Sequence, residues 1–285
     1  MSTTLTPPDA PIHDSAPEAA PTAPRRGSSR TVSIIAICAG AVLIAGTVAS
    51  GTIGIVRSAA VQEGTLTSSV VGVRAVEVNA SAAEVSVGYG DVTEATLQVR
   101  SLSGADSWKI RRDGDRLLVD SRRDWWAGWG WLQSGDTAEL TLPRSLEGTD
   151  TRAGVSGGTL TAEGRFGDLD LTLDAGSLRV NGSARNVRTE VSAGSADIDL
   201  SGVDGATFSV NAGSLRGTLR GTPPSAVSVE VNAGRIDLAV PRGAYALRSD
   251  VAAGDFSHDL TVDPNSPDRI DVNVSAGTVR MVPID

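Results

Sequence analysis

The chain has 285 residues, a formal net charge of −9, a single cysteine and an aromatic content of 4%. An acidic balance of that size argues against nucleic acid and anionic lipid as partners of the main domain, since both repel a negative surface. One cysteine rules out a disulfide scaffold, so whatever folds must hold itself together by packing and hydrogen bonds.

Residues 1–30 are rich in Pro, Ala, Ser and Thr, with Pro7, Pro8, Pro11, Pro17, Pro21 and Pro24 spread through them. Such a segment buries too little apolar surface to offset the entropy of ordering, and it reads as a disordered cytoplasmic tail. Residues 31–57 read as a transmembrane helix. No residue from Thr31 to Val56 is charged, and about 20 apolar residues suffice to cross a hydrocarbon core of about 30 Å. A cleaved signal peptide is the rival, but its apolar region is shorter and lies nearer the N-terminus. A lipidation signal at Cys38 is disfavoured because bulky Ile37 precedes it, and Cys38 is then a small apolar residue of the span. Arg25, Arg26 and Arg30 crowd the N-terminal flank, whereas Arg57 and Glu63 follow the span. The positive-inside rule therefore puts the N-terminus in the cytoplasm and the C-terminal domain outside, at the plasma membrane.

After a linker at 58–72, residues 73–150 read as an N-terminal β cap with the first coils of the array, a separate small β domain being the alternative. Residues 73–90 alternate like an opening strand pair. Asp113-Gly114 is a hairpin turn signal between two β-capable runs, and Pro143 stops the strand 137–143 because it has no N–H to donate. Residues 122–135 hold Trp125, Trp126, Trp129 and Trp131 among glycines. Tryptophan anchors interfaces, stacks on sugars and sits at membrane boundaries, so these four are candidate ligand contacts, with the sealing of one end of the core as the plainer reading.

From residue 151 to 285 a short phrase returns: an apolar residue, a small or polar one, a small one that is usually Ala, then Gly. Its glycines are Gly158, Gly176, Gly194, Gly213, Gly234, Gly254 and Gly277, at intervals of 18 to 23 residues. Self-similarity at such a period marks stacked supersecondary units. Apolar residues recur at every second position on both sides of each glycine, as at Leu169, Leu171 and Leu173 or Ile236, Leu238 and Val240. A period of two means strands with one buried face, so each unit reads as two strands hinged at Ala-Gly. The fold expected is all-β, a single-stranded β-solenoid in which each coil touches only the next. Gly is expected at the corner for its positive φ and lack of a side chain. Ala175, Ala193, Ala212, Ala233, Ala253 and Ala276 are expected to point into the narrow core, and Asp174, Ser192, Asn211, Asn232, Ala252 and Ser275 to face outward or hydrogen-bond along the stack.

The alternating strands, the Pro143-Arg144-Ser145-Leu146 step and successive coils such as 173–184 and 191–202 resemble the DUF4097 group of β-strand-repeat proteins. The likeness runs from about Val73 to the C-terminus. The resemblance implies a bacterial, membrane-anchored cell-surface protein of the kind labelled putative adhesin. It offers no catalytic residues to carry over.

Asp168, Asp170, Asp197, Asp199 and Asp237 are candidates for an outward acidic strip of the kind a sugar-cleaving β-helix uses, and Arg179, Arg216, Arg235 and Arg280 for a basic ladder. Polar residues must alternate with buried ones in any half-exposed strand, so a solvated face is the plainer reading. No Ser-His-Asp grouping or His/Cys metal pair can be assembled outside the tail. No enzyme activity, cofactor or metal is expected. The expected function is binding or adhesion at the cell surface, with a glycan or protein as ligand. An envelope-sensing domain coupled through the helix to the tail is the alternative, and a polysaccharide-active enzyme the third. The last coil, 270–285, has nothing after it to cover its edge, and self-association through this C-terminal coil is expected.

Overall fold

In the computed structural model, residues 62–101, 107–121 and 136–285 are described. The tail and the span expected at 1–30 and 31–57 lie outside them, and among the described residues no helix is long and apolar enough to cross a membrane.

The all-β expectation holds. The first strands are β1 (Gln62–Ser68), β2 (Ala75–Gly90), β3 (Ala95–Ser101), β4 (Trp108–Asp113), β5 (Arg116–Ser121) and β6 (Thr137–Pro143). The next are β7 (Asp150–Arg165), β8 (Asp168–Leu173), β9 (Ser177–Ser183), β10 (Asn186–Val191) and β11 (Ser195–Ser201). The last are β12 (Gly205–Arg220), β13 (Ala226–Pro241), β14 (Ala244–His258), β15 (Thr261–Val262) and β16 (Arg269–Ile284). Their inward residues form one apolar core, with Leu171, Leu173, Ile198, Leu200, Val229 and Val231 all essentially inaccessible. At about 25 cal/mol per Å², burial on this scale is the main stabilising term.

Two sheets share that core. The first half of each unit joins one sheet, as in the parallel run β8–β10–β12. The second half joins the other, as in β9–β11–β12. The solenoid expectation is corrected at this point. β7 and β12 pass through the corner unbroken and pair on both sheets, so β7, β8, β10, β12, β11 and β9 form a closed six-strand parallel barrel. The repeat encodes the register between neighbouring units, which both architectures share. Whether a strand breaks or continues at a corner decides between them, and the phrase is the same in both cases.

The glycine expectation holds, with a sharper cause. A Cβ on Gly234 would lie 2.6 Å from the carbonyl oxygen of Gly213, and one on Gly277 would lie 2.5 Å from that of Gly234. Neither has a positive φ. Gly158, Gly176, Gly194, Gly213 and Gly254 do, and a Cβ on Gly176, Gly194 or Gly213 would strike the preceding glycine's carbonyl more closely still. What excludes a side chain is first the backbone of the neighbouring unit, joined at Gly234 and Gly277 by the core side chains of Val210 and Val231. The alanine expectation is overturned: Ala175, Ala193, Ala212, Ala233, Ala253 and Ala276 are all exposed, because the corner turns their side chains outward. The residues before them do bond along the stack, with the Asn232 amide donating to Asn211 Oδ1 at 2.7 Å and Ser156 Oγ to Asp174 at 3.2 Å.

The N-terminal segment is continuous with the repeats. β2 pairs in parallel with β7 through both halves, and β1, β3 and β6 extend the second sheet, with β1–β3 and β3–β6 antiparallel. β1 thus lies where a linker is expected. The hairpin forms as expected, β4 against β5 with Gly114 at φ +60.

At the other end the order departs from the sequence. β16 lies between β13 and β14, paired on both sides, so coils do not simply follow one another. Hydrophobicity explains the exchange: Ile270, Val272 and Val274 of β16 are buried, whereas Ser249 and Val251 of β14 are exposed, Val251 by 39%. The more apolar strand takes the interior position. The C-terminal coil therefore has no open edge, and the edge passes to β14.

Ion pairs also link successive units. Arg152 meets Asp170 at 3.1 Å and Arg220 meets Asp199 at 2.8 Å. Asp168 accepts from the Asn186 amide at 2.8 Å and from Arg185 Nε at 3.1 Å. These donors, Asn186 first, hold its carboxyl below the ordinary aspartate range. A depressed carboxyl contributes stability above its unfolded pKa and loses it as pH falls through the folded one.

Two outcomes are expected in denaturant titrations. Gly194→Ala, with clash and positive φ together, costs roughly 2–5 kcal/mol, and Gly234→Ala, with the clash alone, roughly 1–3 kcal/mol. Gly202→Ala, at φ +68 with open space around it, costs about 1 kcal/mol; equal costs at all three would refute the backbone-contact explanation. The stability gap between wild type and Asp168→Asn, present at neutral pH, closes as pH drops below the ordinary value of 3.8; a gap unchanged in acid would contradict the assignment.

Candidate functional site

In-register parallel pairing turns a repeated offset from the corner glycine into a straight column of side chains across the sheet, with strands about 4.8 Å apart. On the outer face of the second sheet, the residue after each glycine makes one column: Thr159, Ser177, Ser195, Ser214, Arg235, Thr278 and Asp255. The residue three after the glycine makes the next: Thr161, Arg179, Asp197, Arg216, Asp237, Arg280 and Ser257.

That second column alternates in sign. Arg179, Asp197, Arg216, Asp237 and Arg280 succeed one another on adjacent strands, yet none of the five takes part in an ion pair among the described residues. Their guanidinium and carboxylate groups keep hydrogen-bonding capacity for a ligand. The serine column beside them lies close, Ser177 Oγ standing 3.3 Å from Ser195 Oγ. The first column from Thr159 to Arg235 and the second from Arg179 to Asp237 line a groove of about 410 Å³.

The structure separates the expected acidic strip. Asp168 and Asp170 lie on β8 in the first sheet, bound to Arg185, Asn186 and Arg152. Asp199 is clamped by Arg220 through two bonds of 2.8 and 2.9 Å. Only Asp197 and Asp237 reach the groove, each between arginines. The basic ladder likewise divides, Arg179, Arg216 and Arg280 standing in the alternating column and Arg235 in the serine column. Among the described residues no cluster of His, Cys, Asp or Glu fits a metal ion.

The tryptophans Trp125, Trp126, Trp129 and Trp131 lie outside the described residues. At each of the seven corner glycines a Cβ would lie within 2.6 Å of a neighbouring backbone oxygen. What sequence reading missed is the interleaving of Arg and Asp and the serine column. Aligning the units on their glycines and reading the first and third following residues shows both.

No family model matches the sequence, and no curated protein matches it. Solved structures with a similar arrangement exist at low identity. A putative cell adhesion protein from Clostridium sporogenes is 10% identical, with a TM-score of 0.38, covering 79% of this chain and 100% of its own. A putative adhesin from Bacteroides fragilis is 14% identical, with a TM-score of 0.44, covering 77% and 97%. A putative lipid binding protein from Parabacteroides distasonis is 11% identical, with a TM-score of 0.31, covering 76% and 96%. These values are too low to carry a function across.

Proposed function

We propose that the chain is a non-catalytic binding protein of adhesion type, held at the plasma membrane by residues 31–57 with its β domain outside the cell. Its ligand is a hydroxyl-rich polymer bearing charges of both signs, a wall or surface glycan, laid across the strands of the second sheet. The observation that carries this reading is the unpaired Arg179–Asp197–Arg216–Asp237–Arg280 ladder beside the serine column. Several arginines elsewhere on the surface, Arg152, Arg165, Arg185 and Arg220, are tied to carboxylates one unit away, while Arg188 and Arg248 stand singly and not in a row. A row of charges left without internal partners, at the spacing of the strands, suits a repeating ligand better than a compact one. The resemblance of the repeats to the DUF4097 group agrees with surface display.

The test is a binding screen of the full chain in detergent against isolated wall and surface polysaccharides. Charge-assisted hydrogen bonds contribute about 1.5–3 kcal/mol each, so Arg179→Ala with Arg216→Ala weakens the best ligand by roughly tenfold or more. Arg188→Ala, exposed on the first sheet, leaves binding unchanged. Binding that survives the double substitution but is lost when Trp126 and Trp129 become Ala would move the site to the tryptophan segment.

A further inference from the structure

At the C-terminal end of the array the edge strand is β14, and its residues determine what can pair with it. β14 has β16 on one side along Ala246–His258 and β15 on the other only at Ala244 and Tyr245. The Ala246 N–H donates to Asp268 O at 2.8 Å, toward β16, and Tyr245 O accepts from Asp263 N at 3.0 Å, on the opposite side. Backbone groups alternate along a strand. Those of Arg248 and Asp250 therefore point to β16, and those of Leu247, Ser249 and Val251 point out from the edge, where no described strand pairs with them.

We propose that this edge joins a second copy of the chain, β14 against β14, antiparallel and centred on Ser249. Only an even register is allowed when a strand pairs with its own copy about a two-fold axis perpendicular to the sheet, because opposed residues must share a face. Centring on Ser249 makes Ser249 face its own copy and sets Leu247 opposite Val251, and these residues exchange backbone N–H···O bonds across the axis. Both apolar residues lie on the core side, in register with buried Ile270 and Val274 of β16. Val251, 39% exposed in one chain, gains an apolar neighbour.

The same register sets Arg248 opposite Asp250 of the second copy, twice, in the closely spaced non-hydrogen-bonded positions where cross-strand side chains meet. Both residues are exposed and neither takes part in an ion pair among the described residues. Charge and hydrophobicity are thus self-complementary about one point. An isologous contact of this kind consumes both edges and stops at two chains, which protects a bare strand from open-ended association. Pairing ends before β15, so it is confined to 247–251. This contact is independent of the groove on the second sheet.

Disulfide trapping in membranes of expressing cells tests it. The chain's one cysteine is replaced, Cys38→Ser, and Ser249→Cys is introduced; hydrogen-bonded antiparallel partners stand with Cα atoms about 5.5 Å apart, within disulfide reach. A cross-linked dimer is expected on mild oxidation, well above that of a Ser228→Cys control on interior strand β13. Adding Arg248→Asp abolishes it by setting Asp against Asp, and adding Asp250→Arg to that variant restores it. A dimer no stronger than the control, a dimer indifferent to Arg248→Asp, or no recovery in the double reversal overturns the proposal.

Discussion

Successive units of this protein approach so closely at one corner that the carbonyl oxygen of one glycine occupies the space where the next would carry a side chain. Gly213 against Gly234 and Gly234 against Gly277 show the contact without any help from positive φ. The corner is therefore a backbone-to-backbone seam: Ser195 donates its N–H to Gly176 O at 3.0 Å and Ser214 donates to Gly194 O at 2.9 Å. With the seam fixed, neighbouring units have no freedom to slip. A slip of one residue would turn every apolar side chain from the core to solvent.

Register fixed at the seam propagates outward in both directions. Inward, it stacks Leu173, Val191, Val210 and Val231 in the core. Outward, it aligns the alternating charges on the second sheet and the serines beside them. The same constraint thus supplies stability and builds a surface whose period is that of the strands. The charges contribute little to folding, being exposed. Their arrangement matters for what the surface can hold.

Much of the fold is legible in the residues. The period of two, the corner glycines, the Asp113-Gly114 hairpin and the stop at Pro143 each have a local physical cause that the structure bears out. What is not legible depends on competition between segments. The Ala of each phrase is small enough for the core yet faces solvent, since the direction of the turn and not side-chain size decides its place. β16 displaces β14 from the interior because three apolar inward residues outcompete a strand carrying Ser249 in the same position. The closure through β7 and β12 has no separate sequence signal, for the same phrase serves at broken and unbroken corners. Of the site, each Arg and Asp is visible alone, but their alternation depends on a register that only the paired strands reveal.

Hydrogen exchange of individual amides in the purified chain tests the seam most directly. If the corners are backbone-bonded junctions, the amides of Ser195 and Ser214 exchange only through global unfolding, as slowly as those of mid-strand Ile198 and Phe208. If they exchange at the rate of Thr222, in the open loop after β12, the corners are ordinary turns, and the register must be held by the core alone.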